Sequence, residues 1–135
     1  MKRSFRSVGA SVGCGGNSLD DKSRELQLEI DRLSQALEAP TMPVGMRTKD
    51  GLNIYAGEDD SYHFTFYERG KLGFDYAGSL NDLLYWYCQG IVSSQASRAV
   101  GDRRERFRYE YDVLGRLSPE WAKRRVRDLA AKFRQ

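Results

Sequence analysis

The chain has little of the chemistry that builds reactive or cross-linked sites. It carries one histidine, His63, and two cysteines, Cys14 and Cys88, among 135 residues. A structural zinc site wants four nitrogen or sulfur ligands, and these three side chains fall short of four and contain no Cys-x-x-Cys pair. Cys14 sits in a glycine-rich tail and Cys88 in an apolar helical pattern, so a structural disulfide is not expected. Gly13, Gly15 and Gly16 follow no strand and lack the Lys-Ser/Thr of a phosphate loop. No metal and no cofactor are therefore expected. Long apolar runs are missing too, since none approaches the roughly 20 residues needed to cross a bilayer. Lys2, Arg3 and Arg6 lead into Gly, Ser and Asn rather than the apolar core of a secretory signal. The expected location is cytoplasmic.

What is present fits a small globular protein. Hydrophobic residues make up 40% and charged residues 30%, and the aromatic share of 12% is concentrated between Tyr55 and Tyr87. The length suits a single core. The reading is a tail over residues 1–17 and one α+β domain over 18–135. The net charge of +3 hides an asymmetry. Ser18–Ser97 holds 7 Lys/Arg against 13 Asp/Glu, whereas Arg98–Gln135 holds 12 against 6. An acidic middle attracts basic partners and a basic end attracts acidic ones. Two solvated faces of opposite sign are the plainer account.

Periodicity sets the element order. Ser18 caps a first helix whose Leu19, Leu26, Ile30, Leu33 and Leu37 draw one apolar stripe, and Pro40 stops it. Leu52, Ile54 and Ala56 then alternate as a short strand. Tyr62, Phe64 and Phe66 alternate in a second, with His63, Thr65 and Tyr67 on its other face. Gly70 and Lys71 form the turn into Leu72, Phe74 and Tyr76, which gives an aromatic hairpin. Such a hairpin needs cover, and three helices follow. Ser79–Asp82 opens one containing Leu83, Leu84, Trp86, Tyr87, Cys88 and Ile91, which Gly90 weakens or ends. Gly101 and Asp102 introduce the next, with Phe107, Tyr111, Leu114 and Leu117. Ser118-Pro119-Glu120 starts the last, with Trp121, Val126, Leu129 and Phe133. The class is α+β: a small antiparallel sheet of about three strands, packed against about four helices.

No catalytic constellation emerges. His63 alternates with aromatic residues in a strand, where cross-strand packing explains it better than general-base work. Glu68 and Asp75 flank a hairpin turn, where carboxylates keep an exposed edge soluble. Nucleic-acid binding is the stronger rival. Arg103, Arg104, Arg106 and Arg108 cluster, as do Lys123, Arg124, Arg125 and Arg127, with Tyr109 and Tyr111 available for stacking. Acids interleave both clusters, however, so ordinary helix ion pairs also account for them.

Several short motifs are familiar in their order: Glu68-Arg69-Gly70; Leu80-Asn81-Asp82-Leu83-Leu84-Tyr85-Trp86; Asp102-Arg103-Arg104 with Phe107; and Leu114-Gly115-Arg116-Leu117-Ser118-Pro119-Glu120-Trp121. Over roughly residues 60–133 the chain resembles the bacterial immunity proteins that accompany polymorphic toxins, and the immunity protein 63 family in particular. The resemblance implies a protein that binds and neutralises a cognate toxin domain without catalysis. It carries over no catalytic residue. Tyr85, Trp86, Leu114 and Trp121 suit a core, and Asp102 with Arg103 or Arg104 suits an ion pair joining helices. Partner recognition then falls to exposed residues: Glu58, Asp59, Asp60, Glu68, Asp75 and Asp82 form the candidate patch, matched to a toxin such as a nuclease with a basic cleft. The arginine-rich helices are the competing surface and match an acidic partner. A basic nucleic-acid-binding regulator remains the alternative. The oligomeric state is open, pairing of the hairpin edge with itself being one arrangement.

Overall fold

A computed structural model describes residues 18–45, 48–99 and 101–133. Residues 1–17, with Cys14, and the side chains of Ser18, Leu19, Asp20 and Phe133 lie outside the description. The elements are α1 (Ser18–Ala36), β1 (Gly51–Ala56), β2 (Tyr62–Glu68), β3 (Lys71–Gly78), α2 (Leu80–Ala99), α3 (Arg103–Leu117) and α4 (Pro119–Phe133). The protein is α+β, as its periodicity predicts. The described chain groups into two compact units, one reaching to Ile30 and resuming over Met42–Leu80, the other made of Asp31–Thr41 and Asn81 onward.

In the first unit the strands form one antiparallel sheet in the order β1-β2-β3. Leu52 pairs with Phe66 and Ile54 with Phe64, and these pair onward with Phe74 and Tyr76, so alternation puts all six on one face. Phe74 lies 5.5 Å from Phe64, 5.7 Å from Phe66 and 4.7 Å from Tyr76 between ring centroids. Ring pairs at such distances add about 0.5–1.5 kcal/mol each beyond their buried area.

Leu72 departs from the sequence reading. The register slips between Phe66 and Tyr67, so that Leu72 pairs with Tyr67 and not in phase with Phe74. Gly73 is the extra residue, and a Cβ there would come within 2.8 Å of the Phe66 ring and 3.1 Å of its carbonyl oxygen. The bulge resets the alternation and leaves Leu72 exposed. The turn also moves by one position. Arg69 and Gly70 are its central residues, with φ of 54° and 83°, inside a closing pair of Glu68 and Lys71. Positive φ at both positions is the hairpin geometry whose twist matches the strands.

Polar side chains tie the rest of this unit together. Gln27 of α1 donates to the Met42 carbonyl (3.0 Å) and accepts from the Val44 N–H (2.8 Å), folding the connection back on the helix. Buried Asn53 bridges both backbone groups of Thr48 at 2.9 Å. Lys22 pairs with Asp60 of the β1–β2 turn.

The second unit begins with the end of α1, where Leu33 and Leu37 are buried. Ala39 N–H reaches back to the Ser34 carbonyl (2.9 Å) and Glu38 N–H to Gln35 (3.1 Å), a Schellman closure with Glu38 at φ 54°. Pro40 follows it, as expected. α2 runs unbroken through an exposed Gly90 to Ala99, burying Leu83, Leu84, Tyr85, Tyr87, Cys88, Val92 and Ala96. The Tyr87 hydroxyl meets Ser34 Oγ at 2.6 Å, and Gln95 donates to the Leu37 carbonyl at 2.8 Å.

One residue joins α3 to α4. Ser118 is extended (φ −163°, ψ 118°); its N–H closes α3 on the Leu114 carbonyl and its own carbonyl accepts from Trp121. Proline at the first position of α4 loses no helical hydrogen bond. The inner stripe of α3 differs from the expected one. Glu110 and Leu114 are buried, whereas Tyr111 is 43% exposed. On α4, Trp121 and Ala122 are buried and Val126 is 40% exposed.

Candidate partner-binding surfaces

The five acidic candidates of the first unit do not gather at one place. Glu58, Asp59 and Asp60 occupy the β1–β2 turn, where all three are exposed. Glu68 is exposed at the opposite end of β2, a strand of 7 residues, which puts it about 20 Å away at 3.3 Å per residue. Asp75 is an exposed residue of β3, paired across the ladder with Thr65. Asp82 belongs to the second unit, and its Oδ1 lies 2.7 Å from Arg124 Nη1. Asp60 is taken by Lys22.

The β1–β2 turn has its own internal order. Asp59 Oδ1 accepts from the Ser61 hydroxyl at 2.5 Å and from its N–H at 3.3 Å. The hydroxyl first, and then the N–H, hold the Asp59 carboxyl below the ordinary carboxylate range. A carboxylate only accepts, so Ser61 spends its one proton there. His63 Nε2, 2.8 Å from Ser61 Oγ, is therefore the donor of that contact. Nδ1 is left buried without a hydrogen bond, 3.9 Å from Asp75, and the ring stacks on Tyr55 at 4.8 Å. A serine whose hydroxyl hydrogen is directed at a carboxylate, and not at the histidine, is not a nucleophile activated by that histidine. The array shapes a turn. Gly57 lies under it, and a Cβ there would approach His63 Nε2 to 2.9 Å.

In the second unit Tyr85, Leu114 and Trp121 are buried and Trp86 is half-buried. Tyr85 meets Trp121 edge-on at 6.3 Å and donates its hydroxyl to Asp128 at 2.8 Å. Burial, reinforced by that hydrogen bond, pushes its phenol far above the usual range. Trp121 Nε1 donates to Asn81 at 3.1 Å. The Arg124 guanidinium covers the Tyr85 ring at 4.3 Å while paired with Asp82. Asp102, expected in an ion pair with Arg103 or Arg104, instead caps α3: its carboxylate accepts the Arg104 N–H at 2.9 Å. The pair that bridges α3 and α4 is Glu110–Arg125, at 2.8 Å.

These pairings sort the basic residues. Arg124 and Arg125 are consumed within the fold. Arg103, Arg104, Arg106 and Lys132 have no acidic side chain within ion-pair distance among the described residues. All four line a groove of about 780 Å³ beside the start of α3 and the C-terminal halves of α2 and α4. Its apolar part comes from Phe107, Val126, Leu129 and Ala130. The sequence offered a sign of this arrangement. Arginines at the first two positions of a helix oppose its dipole, and a stability-driven sequence would put acids there.

The immunity protein 63 family model matches residues 58–131, more than half of the chain, from the acidic turn into α4. The chain belongs to the immunity protein 63 family. The match contains the acidic turn, the β2–β3 hairpin, α2, α3, α4 as far as residue 131, and the lining of the groove apart from Lys132. No curated protein and no solved structure matches the chain. No helix of the described residues is long and apolar enough to cross a membrane.

Proposed function

We propose that this chain binds a toxin domain produced by the same bacterial cell and neutralises it by occupying it in the cytoplasm, with no chemistry of its own. Membership in the immunity protein 63 family carries this reading. Two surface features of opposite charge, the Glu58–Asp60 turn and the cationic groove, are the candidate recognition elements for a protein partner. Charged rims of this kind accelerate encounter and exclude wrong partners. The test is protection. The toxin-like reading frame neighbouring the gene is expressed from an inducible promoter, with and without this chain, and growth is followed. Restored growth together with a near-stoichiometric complex supports the proposal. Unrelieved toxicity with the chain soluble and abundant rejects it.

The second reading, a nucleic-acid-binding regulator, draws on the unpaired arginines of α3. It predicts retention of single-stranded or duplex oligonucleotides that weakens steeply with salt. Gel shifts between 50 and 200 mM salt separate the two readings.

A further inference from the structure

We infer that the groove beside the start of α3 is the toxin-docking surface, and that its occupant is an acidic polypeptide segment presenting an apolar side chain. The inference rests on the immunity reading and adds the partner's chemistry to it.

Three observations converge within the second unit. First, the groove carries an excess of positive charge, five basic side chains against two acids. Of its two acids, Glu110 is bound to Arg125 and Asp102 is engaged as the cap of α3. Arg103, Arg104, Arg106 and Lys132 are left with their charge directed to solvent or to a partner. Second, this charge is placed against the interest of the fold. Arg103 and Arg104 occupy the first turn of α3, where the helix already presents positive charge that Asp102 at the cap and Glu105 in the same turn serve to offset. A departure from local stability rules marks a functional surface more often than a structural one. Third, the groove has an apolar share. Val126, on the outer side of α4, is 40% exposed, and Phe107 and Leu129 are half-buried beside it.

That composition selects among anionic partners. Single-stranded nucleic acid binds through aromatic faces on which bases stack, and the groove contributes one ring, Phe107, beside aliphatic Val126 and Leu129. Aliphatic surface flanked by guanidinium groups fits carboxylates alternating with apolar side chains. Arginine accepts a carboxylate with two parallel N–H donors, which fixes orientation as well as charge. The volume falls in the ~300–1,000 Å³ span of well-formed binding sites, the scale of a few side chains.

The experiment uses the full chain and an inactivated form of the toxin domain encoded beside it, with binding kinetics measured at 50 and 300 mM salt. Two groove variants are compared with wild type: Arg103→Ser/Arg104→Ser/Arg106→Ser, which removes charge and relieves the dipole conflict, and Val126→Asp, which puts a carboxylate on the apolar side. A third, Glu58→Ala/Asp59→Ala/Asp60→Ala, reports on the acidic turn. The expected result is association slowed about tenfold or more with a flatter salt dependence for the arginine variant. Val126→Asp should dissociate faster, the acidic-turn variant should bind as wild type, and thermal melts should show all three folded. Tight wild-type binding that both groove variants retain overturns the groove while the immunity reading stands, and losses confined to the acidic-turn variant move the interface there. A wild-type chain that neither binds the domain nor protects cells overturns both. Retention of a 20-nucleotide single strand through the same arginines, with no toxin binding, assigns the groove to nucleic acid.

Discussion

Arg125 reaches from α4 to put its Nε 2.8 Å from Glu110 Oε1 on α3, with side chains only 17% and 9% exposed. Two charges withdrawn from water this far depend on each other. Removing one leaves the other desolvated without compensation, whereas replacing both with apolar groups of similar volume removes the problem altogether.

Arg125→Met should therefore lower the unfolding free energy by about 3 kcal/mol. Glu110→Met/Arg125→Met should lie within about 1 kcal/mol of wild type or above it. Urea denaturation of the two variants is the check. A double variant as damaged as the single one would mean that the pair stabilises the helix contact outright.

Gly90 lies mid-helix in α2, is exposed, and has nothing within 4 Å of where a Cβ would stand. Glycine in a helix interior costs roughly 0.5–1 kcal/mol relative to alanine. Gly90→Ala should raise stability by about that amount. A fall in melting temperature would show that the position needs a bare backbone.

Glu38 closes α1 at φ 54°, a left-handed conformation in which a side chain is strained. Glu38→Gly relieves that strain but loosens the unfolded chain, for a net gain of roughly 0.5 kcal/mol. Glu38→Ala keeps the strain and should give no such gain. Chemical denaturation of the pair distinguishes the two effects.

Cys88 is fully buried, and burial pushes its thiol up to about 12. The unfolded thiol ionises near 8.5, so the folded state favours the protonated form. Its contribution to stability is complete below about pH 8.5 and is lost as pH rises toward 12. In a Cys14→Ser background, a thiol reagent at pH 8 should modify Cys88 only at the rate of unfolding. Prompt modification of the native protein would mean that the site opens locally.

The sequence made the order of elements plain where chemistry and period agreed. Ser118-Pro119-Glu120 marks a helix start by capping and proline placement, and the alternation from Tyr62 to Phe66 marks a strand. The errors have physical causes. Arg69 carries no sign of the positive φ it adopts, so Gly70 and Lys71 read as the turn, one residue late. Gly73 reads as an ordinary glycine until the Phe66 ring is found against it. Tyr111 reads as the inner residue of α3 because it is aromatic, whereas Glu110 is buried by a partner 15 positions away on another helix. The groove was legible only as two arginine clusters. Which arginines are free depends on pairings with Asp82 and Glu110 that cross helices, and local periodicity does not report these.

The single-residue joint at Ser118 makes chain length at that point a matter of angular phase. Each residue turns a helix by about 100°, so one position inserted in the first turn of α4 would rotate everything after it by more than a quarter turn about the axis. Arg125 would leave Glu110, and the outward side of α4, with Val126, would face elsewhere. Substitutions along the exposed faces of α3 and α4 therefore leave this corner intact, whereas an insertion or deletion at the corner would not.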